Sequence, residues 1–171
     1  MSEPIADSPA TGDAVTDTIR HRVLAPGWTV IIMVMTAAAV LLSIYQLFNI
    51  GSMVGWVILD LAYLDLMVAL LLPIVFLVFP MRAADKNRRS PPIYDMALFA
   101  GTFVLGCFLA WIAVPSVDGG WEYFAPDYAR ILGFVLWAIM IEAVRRTGGM
   151  ALTIIVLVFS FYPPFAEMMP G

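Results

Sequence analysis

With 171 residues, 62% of them hydrophobic and only 13% charged, the chain holds more apolar side chain than a water-soluble domain of this size can cover. Nine basic and 13 acidic residues give a net charge of -4; the basic residues are scattered, which removes the case for nucleic acid as a partner. A single cysteine, Cys107, excludes an intrachain disulfide.

The apolar residues come in long uncharged runs that are greasy on every face, which argues for helices in lipid rather than the alternating strands of a barrel. The expected fold is all-α: a polytopic membrane protein with four to five transmembrane helices and membrane lipids around it. Residues 1–27 carry four acids and no long apolar core, so they read as a flexible polar tail and not as a secretory signal. Arg20, His21 and Arg22 stand just ahead of the membrane domain expected over 28–171. His21 is the only histidine and has no ligand companions, so no metal site is expected.

The first span is expected over 28–50 and the second over 56–79, with Asp60 and Asp65 near its start and Pro73 positioned to bend it. Pro80 closes the second span, and the most basic loop of the chain follows, with Arg82, Lys86, Arg88 and Arg89. Pro91 and Pro92 introduce a third span over 94–114, whose first turn holds Asp95, where free amides and the helix dipole favour an anion. Beyond an acidic, aromatic loop, spans are expected over 126–144 and 147–166. Eight of the nine basic residues fall in the N-terminal flank, the 82–89 loop and the 145–146 seam. The positive-inside rule therefore places the N-terminus in the cytoplasm and, with five crossings, the C-terminus outside.

Candidate interaction residues are the charges inside or beside these runs. Glu142, Arg145 and Arg146 are three and four residues apart, so one helix face brings the carboxylate to both guanidiniums. They could clamp the depth of the fourth span, hold a partner subunit, or touch a transported solute. Thr147, Gly148 and Gly149 follow and permit a sharp reversal. Asp60, near the outer surface, is expected to be hydrated. Asp65 lies deeper and needs a donor on another helix, an aqueous cleft, or a proton; a contact with a neighbouring helix or subunit is the expectation. Gln46 could join two helices or face headgroups. Gly106 and Ala110 form a small-xxx-small pair suited to close helix packing. No phosphate loop, HExxH or nucleophile elbow occurs, so no catalytic or cofactor-binding residue is expected.

Four fragments, "YQLFNIG", "FLVFPMR", "PPIYDMALF" and "LGFVLWAIMIEAVRRTGGMALTIIVLVFSFY", follow the order found in the N-terminal membrane region of tripartite ATP-independent periplasmic (TRAP) transporters of the TAXI type with fused permease. The chain resembles that region over about residues 28–171. Pro80 and Arg82, Tyr94 and Asp95, and Glu142, Arg145, Arg146, Gly149, Ala151 and Leu152 fall on the family's positions, whereas Leu64 and Met67 stand where the family carries an arginine and a histidine. The resemblance implies a small scaffold component of a secondary active transporter in the bacterial inner membrane. Its implied partners are a large permease subunit and a periplasmic substrate-binding protein, and its implied cargo organic acids or similar small anions. The alternatives are a membrane assembly protein without a transport role and a membrane enzyme.

Overall fold

A computed structural model describes residues 22, 24–82 and 89–161. Arg20, His21, Lys86, Arg88 and the stretch 162–171 lie outside the described residues. The fold is all-α: α1 (Pro26–Leu47), α2 (Ile50–Val54), α3 (Asp60–Val78), α4 (Ile93–Asp118), α5 (Trp121–Phe124) and α6 (Asp127–Ser160). Three of these, α1, α3 and α4, with 22, 19 and 26 residues, are long and apolar enough to cross a membrane.

The core is small and lies mainly between α3 and α4, where Ala69, Phe76, Leu77, Thr102 and Leu105 are buried. Gly106 sets their closest approach: a Cβ there would fall 2.7 Å from the Cβ of Ala69 and 2.8 Å from its Cα. Gly106 thus does what the small-residue spacing anticipated. α1 packs on α3, and α6 on both α3 and α4. Large apolar side chains point outward all along these helices, including Leu41, Val104, Trp111, Phe134 and Phe159. An outer surface this apolar matches hydrocarbon rather than water, so the fold is that of a membrane-associated helical protein.

The first span ends at Leu47 rather than residue 50, and boundaries differ from expectation at three further places. The second span begins at Asp60, not at residue 56. The αL conformation of Gly55 (φ 82°) caps α2, and residues 56–59 have no regular structure, Leu59 being extended where α3 starts. α4 continues past residue 114 and through Pro115 to Asp118. The expected fourth and fifth segments form α6, broken at Gly149, where φ 76° and ψ -177° define a conformation that only glycine adopts readily.

That break reverses the chain. Trp137 Nε1 donates to Ser160 Oγ at 2.5 Å, and the Trp137 ring meets Phe161 edge to face at 5.9 Å. In a straight helix Trp137 and Ser160 would be about 35 Å apart, so 150–160 folds back along the first arm. The first arm, 127–148, is about 33 Å long; the return arm, 150–160, covers about half of that.

Candidate functional site

The site follows from a simple problem of helix ends. The last carbonyls of α3 have no intrahelical donor and carry the negative end of the helix dipole, yet α3 has no basic residue in its last turn. Other segments supply the cations. The amide of Arg22 donates to Val78 O at 2.8 Å, its guanidinium lies 3.5 Å from Leu77 O, and Arg146 Nη1 donates to Phe79 O at 3.2 Å.

Beside these carbonyls the opposite end of a helix begins. Pro92 caps α4 and Asp95 sits in its first turn. Asp95 is fully buried, and both of its oxygens are used: Oδ2 accepts from Arg22 Nη2 at 2.9 Å and Oδ1 from Arg146 Nη1 at 2.7 Å. The two arginines therefore bridge the negative end of α3 to the anion at the positive end of α4.

The bridge extends along α6. Arg146 Nε donates to Glu142 Oε1 at 2.8 Å, and Arg145 grips the same carboxylate with Nε to Oε2 at 2.7 Å and Nη2 to Oε1 at 2.8 Å. This is the one-face arrangement that spacings of three and four allow. Five ionised side chains, Arg22, Asp95, Arg146, Glu142 and Arg145, thus form one chain of charge-assisted hydrogen bonds with a net charge of +1. Arg146 Nη2 makes no hydrogen bond among the described residues, while the guanidinium carbon stands 5.0 Å from the centroid of Phe76, whose ring face offers electrostatic compensation. Arg82 lies 6.0 Å from the Tyr94 ring at the same end.

Sequence reasoning placed the interhelical carboxylate elsewhere. Asp65 makes no hydrogen bond or ion pair among the described residues; it is half-buried in a cleft beside α4 and α6, and the buried contact falls on Asp95. Asp60 does not stand alone in water: it accepts from Gln46 Nε2 at 2.7 Å, so Gln46 joins α1 to α3. The Tyr45 hydroxyl donates to the Trp56 carbonyl beside it. Arg22, assigned to the polar tail, is the component that sequence missed. Its only signal was a basic residue shortly before the first apolar run, which the positive-inside pattern already accounted for.

Charges are segregated along the molecule. Arg22, Arg82, Arg145 and Arg146 gather where α3 ends and α4 begins, and the Ala25 amide donates to the Arg89 carbonyl there at 2.9 Å. Asp60 and Asp127 lie at the other end with Arg130, whose contact to Asp127 is 3.5 Å and exposed. Among the described residues no group of His, Cys, Asp and Glu could hold a metal ion. No family model, no curated protein and no solved structure matches this chain.

Proposed function

We propose that the chain is the small scaffold subunit of a TRAP-type secondary transporter in the bacterial inner membrane, with its N-terminus in the cytoplasm. One observation carries the reading: three of the four sequence fragments behind the resemblance, far apart in the chain, converge on one network. Phe79 from "FLVFPMR" accepts from Arg146; Asp95 from "PPIYDMALF" binds Arg146; and "EAVRRTGG" supplies Glu142, Arg145, Arg146 and the reversal at Gly149. Residues that jointly make one buried structure are a stronger basis for kinship than isolated motif matches.

The architecture suits a brace more than a pump. The ion network ties the N-terminal flank, α3, α4 and α6 together at one end, while broad apolar faces of α1, α4 and α6 remain open to lipid or to helices of a larger permease. In this reading α1, α3, α4 and the first arm of α6 make four crossings, and the return arm packs back along the last of them. The cationic end lies in the cytoplasm and the Asp60 and Asp127 end faces the periplasm, where a substrate-binding protein docks.

Copurification of the tagged chain with a large permease encoded beside it, followed by uptake of organic acids with and without the chain, tests the proposal. Uptake that requires the chain supports it. A stable complex whose uptake is indifferent to the chain moves it to an assembly role, and failure to copurify with any permease removes the reading.

A further inference from the structure

The cleft beside Asp65 poses a problem that the ion network does not solve. It has a volume of about 330 Å³, at the small end of the range that small-molecule sites occupy, and lies between α3, α4, α5 and the first arm of α6. Its walls are mostly apolar, with Leu109 and Leu136 among them, yet it also holds Asp65 and Arg130. These two residues of opposite charge line one cleft without pairing: Asp65 has no ion pair among the described residues, and Arg130, largely exposed, contacts Asp127 at 3.5 Å. A carboxylate among apolar walls at membrane depth is costly unless a donor meets it.

α6 explains why the space stays open. Its buried residues, Ala143, Arg146 and Thr153, all lie toward the network end, whereas no residue from 127 to 142 is buried. The helix is fastened at one end and stands off at the other, and the gap opens at the end marked by Trp121 and Tyr128. Those rings meet edge to face at 5.5 Å, and both residue types prefer the headgroup layer.

We propose that this cleft binds the head group of an ethanolamine phospholipid, its primary ammonium on Asp65 and its phosphate on Arg130. The two walls carry the two charges of that zwitterion. Ser116, whose hydroxyl donates to the Ala113 carbonyl, offers oxygen lone pairs to the remaining ammonium protons. The choline analogue has the same net charge but no N–H to donate, and the glycerol analogue has the phosphate without the cation. The assignment needs the chain to sit in a bilayer and is independent of the transporter reading.

The test uses the full chain in nanodiscs of phosphatidylcholine alone, or with added phosphatidylethanolamine or phosphatidylglycerol. Thermal unfolding midpoints and lipid retention in native mass spectrometry are both read. Phosphatidylethanolamine should raise the midpoint saturably and remain bound, while the other two lipids should not. Each variant is scored by its own increment over pure phosphatidylcholine, so altered basal stability does not enter. Asp65→Asn and Arg130→Gln should each lose the increment; Asp65→Glu should keep most of it. Equal increments from choline and ethanolamine lipids, or an increment that survives Asp65→Asn, would overturn the proposal. So would soluble O-phosphoethanolamine matching the lipid. Should Asp65→Asn fail to fold, Arg130→Gln and the retention measured on the unaltered chain decide the matter.

Discussion

Replacing Asp95 with Asn perturbs the network where it is most dependent on one group. Asp95 is fully buried and is the only carboxylate that Arg22 contacts in the network, while Arg146 keeps Glu142. The substitution preserves shape and removes the negative charge, raising the network's net charge from +1 to +2. Breaking a buried ion pair by deleting one partner costs about 3–5 kcal/mol. Both arginines sit near helix ends, where a long side chain can snorkel toward the headgroups, so the lower figure, about 3 kcal/mol, is the one expected. For a chain of this size that corresponds to a fall in melting midpoint of about 6–12 °C. The assay is thermal unfolding of the purified chain in a fixed lipid or detergent, read by intrinsic tryptophan fluorescence. A double-mutant cycle with Arg22→Gln should give a coupling of about 0.5–3 kcal/mol, because either single variant removes the same Arg22–Asp95 ion pair. A melting midpoint for Asp95→Asn within about 1 °C of the unaltered chain would refute the reasoning, since it would mean that the charge is not needed to hold the arginines.

Gly149→Ala forces a side chain into φ 76°, ψ -177° and should cost about 1–3 kcal/mol; cysteines placed at 137 and 160 should then crosslink more slowly than in the parent. Gly106→Val places atoms where Ala69 already stands, so α3 and α4 must separate, with a loss of about 1–3 kcal/mol visible as a lower melting midpoint. Gln46→Leu removes the bond to Asp60 at an exposed site and should change stability by no more than about 1 kcal/mol, checked by the same melt. Glu142→Ala leaves Arg145 without its bidentate partner and takes from Arg146 one of its two carboxylates in the network, and should reduce recovery of the chain from membranes in gel filtration.

The helices were legible because uncharged runs of this length have few other solutions in lipid. The reversal was legible from Gly148 and Gly149, since consecutive glycines before another apolar run point to a turn. Glu142 with Arg145 and Arg146 was legible because helical periodicity relates residues three and four apart. Asp95 belongs to a different class of contact: its partners lie 73 and 51 residues away, and no periodicity connects them. Asp65 was overrated for a related reason, since its depth in the span could be counted but the direction in which its side chain points could not. The start of α3 was missed because Trp56, Val57 and Ile58 are as apolar as the helix that follows; what separates them is the backbone turn at Gly55, which hydropathy does not register.

The buried network also imposes an order on biosynthesis. Asp95 leaves the ribosome 51 residues before Arg146, a delay of about 3–10 s at ordinary elongation rates, during which the nascent chain has only Arg22 to pair with Asp95 and lacks the donor to Asp95 Oδ1 and the Phe79 carbonyl. The closing piece arrives only with α6. A chain arrested before residue 142 should therefore persist as a substrate for membrane quality-control proteases, and pulse-chase labelling of nested truncations should show its lifetime lengthen abruptly once residue 146 is included.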